Sequence, residues 1–260
     1  MIYLHKPFTG MGRLARELRL SVATKRPNTQ TFGDLLPRRN FVTPSINWGC
    51  GRSAIVTLPT VEILNDDISV ARSKRATFER LAEAEVAHPR WSQSYVELRE
   101  RLGLERTILA RLDQLSGGMD ILIVGPHNLA DIYAYDFYVE RLSCQRELRV
   151  HCWGGAAIAT QVKVIPPGCT NFIHSYVNGC TFSQHLGRWG IGAELATQAQ
   201  GLALRAVEAV GLDFGAVDLM LTRRGKLYVL EVNSAPGIRS DYIKQAYARV
   251  LGPMIRRRGR

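Results

Sequence analysis

The chain has 260 residues, 46% hydrophobic, 22% charged and 8% aromatic, which excludes disordered, collagen-like and mucin-like compositions and leaves one to two domains with a buried core. Lys plus Arg (34) exceed Asp plus Glu (23) by 11, an excess that points to an anionic partner without separating nucleic acid, phosphate ligands and acidic peptides. Arg256, Arg257, Arg258 and Arg260 supply four of those charges. Cys50, Cys144, Cys152, Cys169 and Cys180 are odd in number and form no C-x-x-C pair, as expected of reduced thiols in a cytosolic protein. No apolar run is long enough for a spanning helix. The first eight residues, broken by His5, Lys6 and Pro7, do not read as a signal peptide.

In chain order, Met1 to Leu4 predict a strand and Arg13 to Leu20 a helix, with Gly10 and Gly12 in the turn between. Arg26 to Asn40 reads as loop, and Ser45 to Trp48 as a short strand ending in a Gly49-Cys50-Gly51 turn. The spacing of Ala71, Phe78, Leu81 and Ala82 predicts one helix from Ile68 to Ala87, stopped near His88-Pro89. A second helix covers Ser94 to Leu102. Strands follow at Thr107 to Leu112, Ile121 to Val124, Ile132 to Val139, Glu147 to Trp153 and Ala156 to Ile165. Gly192 to Val210 is an amphipathic helix carrying Leu195, Ala199, Leu202, Ala206 and Val210. Strands at Ala216 to Leu221 and Leu227 to Val232 form a hairpin, and a helix from Asp241 to Leu251, capped by Ser240 or Asp241, closes the pattern.

The hairpin carries the sharpest chemistry. Glu231 and Asn233 are two apart on a strand, so they share a face, while Leu230 and Val232 turn to the core. Asp218, on the preceding strand, projects toward the same place. Two carboxylates and an amide oxygen make a hard-oxygen site suited to Mg²⁺, which completes its octahedron with waters and phosphate oxygens. The bland reading of Glu231 and Asn233 alone is the polar face of an edge strand. The Gly211-Leu-Asp-Phe-Gly-Ala-Val-Asp218 lead-in and the Ser234-Ala-Pro-Gly237 exit weigh against it.

These segments resemble the C-terminal metal motif of ATP-grasp ligases, and among them the RimK-like branch and its phage-encoded relatives. The resemblance covers roughly residues 65 to 240. It implies an α/β and α+β architecture: a pre-ATP-grasp α/β domain (1–72) followed by a two-subdomain ATP-grasp fold (73–260), with a lid subdomain over about 103–140 and a basic tail at 256–260. Ser45-Ile-Asn-Trp48-Gly49 is similar to an I-N-W-G element of the phage-type relatives. The implied activity is carboxylate–amine ligation. ATP phosphorylates a carboxylate, and an amine attacks the acyl phosphate to give an amide, with a peptide, protein or amino acid as acceptor. The implied cofactors are ATP and Mg²⁺, the implied compartment the cytoplasm (of a host, for a phage-encoded chain).

Carried over residue by residue, the resemblance makes Asp218, Glu231 and Asn233 the metal ligands. It assigns Lys74, ahead of a Pro89-Arg90-Trp91 segment, and Arg111, in place of a second lysine, to the nucleotide phosphates. Arginine there keeps the charge but presents a planar fork. Ser116, Gly117 and Gly118 resemble the phosphate-covering loop, whose glycines let backbone N–H groups approach phosphate. Asp120 departs from that pattern, either weakening phosphate binding or capping the hairpin. Tyr138 and Val139 fall on the strand that contacts adenine. Arg149, in Glu147-Leu-Arg149-Val, and Lys163 on the neighbouring strand face the transferred phosphate as catalytic groups. Ile173-His174-Ser175 stands where the family has I-R-N. His174 either keeps part of the arginine's role when protonated or faces solvent.

Three rivals remain at this level. Gly10-Met-Gly12-Arg-Leu-Ala15, with Asp34 beyond it, fits a dinucleotide fingerprint, but Lys25-Arg-Pro-Asn-Thr-Gln-Thr supplies no second apolar strand. Nucleic-acid binding fits the net charge and the Arg tail, without any recognised signature. That tail equally suits an acidic protein partner or a solvated end. A catalytically degenerate ATP-grasp fold, used as a nucleotide- or nucleic-acid-binding or structural module, is prompted by Arg111, Asp120 and His174-Ser175. Acid–base triads are not expected: there is no G-x-S-x-G, and no cysteine has a motivated histidine partner.

Overall fold

The computed structural model describes residues 2–4, 10–17, 22–24, 45–50, 63–113, 121–125, 129, 131–169, 174 and 178–256. The glycine loop at Ser116–Gly118, Asp120, Asp34 and the tail arginines 257, 258 and 260 lie outside them. In the first unit β1 (Ile2–Leu4), β2 (Val22–Thr24), β3 (Ser45–Trp48) and β4 (Ile63–Leu64) pair in parallel, in the order β2-β1-β3-β4. Parallel neighbours need a crossover, and α1 (Gly10–Glu17) lies between β1 and β2. The helix starts three residues earlier than expected, so Gly10 and Gly12 are helical rather than turn glycines. Met11, Leu14 and Ala15 are all buried, and their spacing makes Met11 part of the same apolar stripe.

Asparagines staple this unit to the rest. The Asn47 side chain donates to the Cys50 and Asn65 carbonyls (3.0 and 2.6 Å) and accepts from the Cys50 N–H (2.8 Å). Asn65, at a left-handed φ of 55°, accepts from the N–H groups of Asp213 and Phe214 (2.7 and 3.2 Å) and donates to the Phe214 carbonyl (2.9 Å). Trp48 stacks on Phe214 with ring centroids 5.1 Å apart.

The helix expected over Ile68 to Ala87 is two helices, α2 (Ser69–Arg72) and α3 (Lys74–Glu83). Ser73 separates them with an extended backbone, and its hydroxyl accepts from the Ala76 N–H as the N-cap of α3. Proline does not stop α3. The chain turns at Glu85 (φ 52°), and the Val86 N–H returns to the Leu81 carbonyl, 2.8 Å away.

A small antiparallel sheet comes next, formed by β5 (Trp91–Ser92), β6 (Ile108–Arg111), β7 (Ile121–Val124) and β8 (Phe137–Glu140) in the order β5-β8-β6-β7. Helix α4 (Tyr95–Leu102), capped by Ser94, packs on it. The strand expected from Ile132 begins only at Phe137. Asp131–Ala134 is a 3-10 turn whose Ile132 carbonyl accepts from the Tyr135 N–H and the Tyr138 hydroxyl.

The largest sheet is antiparallel throughout: β9 (Cys144–Trp153), β10 (Ala156–Val164), β11 (Thr181–Ser183), β12 (Phe214–Thr222) and β13 (Leu227–Asn233), in the order β11-β10-β9-β12-β13. One face buries Leu148, Val150, Val162, Val217, Leu219, Val229 and Val232 under α5 (Ala193–Ala209). The buried stripe of α5 is Ala196, Ala199, Ala203, Ala206 and Val207. Leu195 and Leu202 sit at its margin, because small alanines let the helix lie close to the sheet. The opposite face is closed at one end by Trp48 and by Tyr247 of α6 (Asp241–Arg256), packed on Trp153 and Phe214. Ser240 caps α6, accepting from the Ile243 N–H through its hydroxyl. Toward its other end this face becomes charged. No helix among the described residues is long and apolar enough to cross a membrane.

Candidate functional site

Strand register assembles the site. Asp218 lies directly opposite Glu231 on one neighbour and opposite Arg149 on the other, and Arg149 in turn opposite Gln161. Glu231, Asp218 and Arg149 thus form one row across three strands, with Asn233, Ala216 and His151 forming the next. The spacing of Glu231 and Asn233 holds as expected. Leu230 does not turn to the core: a bulge at this residue re-phases the strand, and Val229 joins Val232 in the buried cluster instead. Gly215 explains part of the lead-in motif. A Cβ there would stand 3.0 Å from the Asn233 carbonyl oxygen, so glycine allows β12 to hold Asn233 in position.

Arg149 grips Asp218 with both arms, Nε to Oδ1 at 2.6 Å and Nη2 to Oδ2 at 2.7 Å. Its guanidinium lies over the Phe182 ring, 4.5 Å from the centroid. Burial pushes the Asp218 carboxyl up, but the charge and hydrogen bonds of Arg149, with Lys163, outweigh it and hold the group below its ordinary value. Glu231 goes the other way. Burial raises its pKa and Asp218 adds to the rise, against the opposing pull of Arg149, Lys74 and Arg111. The Asn233 amide nitrogen is buried with no hydrogen-bond partner, an uncommon state for a native side chain. Two facing carboxylates, one driven up by the other, beside an unsatisfied amide, fit a divalent cation with hard oxygen ligands. Side-chain amide oxygen and nitrogen exchange by a simple flip.

Lys74 is the first residue of α3, and its Nζ donates to the carbonyls of Leu112 and Asp113 (3.3 and 3.1 Å). That contact brings it to the end of β6, beside Arg111. The Asp113 carboxylate accepts from the Ser73 hydroxyl and the Arg75 N–H (2.8 and 2.9 Å), fixing the helix start against the strand. Lys74 and Arg111 both act on Glu231, so the four expected phosphate cations gather round one set of carboxylates.

Lys163 ion-pairs with Glu147, whose other oxygen meets His174 Nδ1 at 2.5 Å. His174 therefore does not face solvent; its side chain is 13% exposed. Cys144 is also a neighbour of this histidine, which corrects the expectation that no cysteine has one. Burial, with Glu147 adding, pushes the Cys144 thiol up to about 12.

Tyr138 and Val139, the expected adenine contacts, lie on β8. β8 is an interior strand, paired at both positions with β5 on one side and β6 on the other, and both side chains are buried. Sequence reasoning also passed over Glu147, Phe182 and Asp113. Glu147 stands two residues before Arg149, so strand alternation was the available signal. Phe182 and Asp113 reach the site only through tertiary pairing.

Residues 128–249 match the family model of the D-ala D-ala ligase C-terminus. The D-alanine–D-alanine ligase of Burkholderia cenocepacia (strain HI2424) is 35% identical over 103 residues, 39% of this chain and 32% of that enzyme. The chain thus matches about a third of the length of such curated relatives. Among solved structures, the ATP-grasp ligase PsnB complexed with minimal precursor aligns over 96% of this chain and 98% of its own, with a TM-score of 0.66 at 14% identity. D-alanine–D-alanine ligase from Bacillus anthracis aligns over 98% and 95%, with a TM-score of 0.62 at 14% identity. PsnB has also been solved with precursor, Mg and ADP. The chain has the ATP-grasp ligase fold, with the mixed α/β architecture expected from its sequence.

Proposed function

We propose that this protein is a Mg²⁺-dependent ATP-grasp carboxylate–amine ligase working through an acyl phosphate, with a peptide, protein or amino acid as acceptor. The observation that carries the reading is the row Glu231–Asp218–Arg149 across three adjacent strands, with Lys163 one step along the same face. Asp218, Glu231 and Asn233 hold Mg²⁺, which when bound neutralises charge on the phosphate oxygens. Arg149 and Lys163 orient the transferred phosphoryl group against the substrate carboxylate. Lys74 and Arg111 hold the remaining phosphates, and the loop at Ser116, Gly117 and Gly118 covers them. The protein's part is positioning and electrostatics, since phosphoryl transfer asks for little covalent work.

The same reading divides the chain into a pre-ATP-grasp unit (1–72) and a catalytic unit (73–260), and assigns it to the RimK-like, phage-type branch, acting in the cytoplasm. The I-N-W-G element supports that finer assignment, since Asn47 and Trp48 join the first unit to β12. The deciding experiment is ADP release from Mg-ATP across a panel of carboxylates and amines. A ligase sustains ADP release over many turnovers only when both substrates are present, because ADP leaves as the carboxylate is phosphorylated and the amine then consumes the acyl phosphate. Nucleotide binding without turnover over a broad panel favours the degenerate-module alternative, and ATP-independent DNA binding lost on removing residues 256–260 favours the nucleic-acid alternative.

A further inference from the structure

The charged sheet face does not end at Lys163. One row beyond Asp218 stands Glu147, opposite Met220, and beyond it Cys144, opposite Thr222 at the start of β9. Cys144 and Glu147 are three residues apart, which on a regular strand sends their side chains to opposite faces. A bulge prevents this. The register passes from Arg146 opposite Leu221 to Cys144 opposite Thr222, skipping the exposed Gln145, and so turns the Cys144 sulfur onto the Glu147 face. His174 reaches the same point from the connection between β10 and β11. The Cys144 sulfur, a Glu147 carboxylate oxygen and a His174 ring nitrogen all lie within 4.8 Å of one another. Glu147 and His174 are well shielded, with side chains 7% and 13% exposed, and Cys144 is half-buried.

We propose that Cys144, Glu147 and His174 form a second metal site, for a borderline-soft divalent ion of the Zn²⁺ type. A thiolate, an imidazole and a carboxylate are the donor set Zn²⁺ takes, and three protein ligands leave a fourth position for water or a substrate atom. Mg²⁺ does not accept a thiolate, so the two ends of the face sort metals by hardness: oxygen ligands at Asp218, Glu231 and Asn233, mixed sulfur, nitrogen and oxygen at Cys144, Glu147 and His174. Thiolate and carboxylate together balance the charge of the ion. Lys163, which lies in the field of Asp218 as well as of Glu147, keeps an anionic neighbour when Glu147 turns to the metal. The site goes beyond the ligase reading and does not depend on it.

The test is a Co²⁺ titration of the full chain after chelator treatment, in excess Mg²⁺, read by absorption. One equivalent of Co²⁺ is expected to give a thiolate-to-cobalt charge-transfer band in the near ultraviolet with visible bands of a low-coordinate site. Cys144→Ser removes the charge-transfer band, and His174→Ala weakens binding roughly tenfold or more. Glu231→Gln leaves both unchanged. No charge-transfer band at saturating Co²⁺ with the wild-type chain overturns the proposal, without any variant having to fold. A band retained in Cys144→Ser overturns it too, because the sulfur ligand is then another cysteine.

Discussion

The two faces of the five-stranded sheet are built from alternate residues of the same strands, yet they do opposite work. Toward α5 the residues are Leu148, Val150, Val217 and Leu219, all at most 1% exposed, and their contribution is burial. One residue along each strand stand Arg149 and Asp218, which pair with each other, and Glu147, which pairs with Lys163, at a cost in desolvation. An apolar face and a charged face are thus one residue out of phase. The bulges at Gln145 and Leu230 each move a residue from one role to the other. The lesson is that substitutions on the apolar face should be read in stability, and substitutions on the charged face in ligand binding and in the balance of charge.

The largest effect is expected where that division is broken on the apolar side. Leu219→Ala should lower stability by about 4 kcal/mol, through lost burial and the cavity left behind. Its neighbour Met220→Ala, on the charged face, should cost about 1 kcal/mol or less. Urea midpoints measure both, and equal losses would erase the contrast. Next comes Arg149→Met, which leaves the Asp218 carboxylate buried without its partner and should cost about 3 kcal/mol at neutral pH. Adding Asp218→Asn should recover much of that loss, because the uncompensated charge goes with it. Asn65→Ala tests the staple between the first unit and β12. It strands two backbone N–H groups and a carbonyl and should cost about 2 kcal/mol.

His151 sharpens the comparison where the charged face disappears under α6. Burial, helped by the charge of Arg149, lowers its pKa from 6.5 to about 3. The unfolded chain therefore binds the proton first. Stability from this residue is fully present above pH 6.5 and falls as pH drops toward 3, by about 1.4 kcal/mol at pH 5.5. Chemical denaturation at pH 7.5 and 5.5 should show a difference that shrinks by this amount in His151→Gln. An unchanged difference would mean that the buried histidine is not the titrating group.

How much of this was legible in the sequence varied with the kind of information each feature needs. Asp218, Glu231 and Asn233 were readable because alternation and hairpin order are local, and the structure faces Asp218 with Glu231 across β12 and β13. Leu230 was misread because a bulge leaves no mark in an apolar run. The same limit hid Cys144, which joins Glu147 only through the bulge at Gln145. Ser73 divides a continuous helical pattern because its hydroxyl caps α3 and Asp113, forty residues away, accepts from it. Tyr138 and Val139 sit at the expected strand, but the sequence does not say that the strand is paired on both sides.

The central claim is that the row Glu231–Asp218–Arg149, with Asn233 beside it, is a Mg-nucleotide site. Thermal unfolding with and without Mg-ATP tests it most directly, on the wild-type chain and on the Glu231→Gln/Asn233→Ala double variant. The account predicts that Mg-ATP raises the Tm of the wild type and leaves that of the double variant unmoved. An equal rise in both would contradict it.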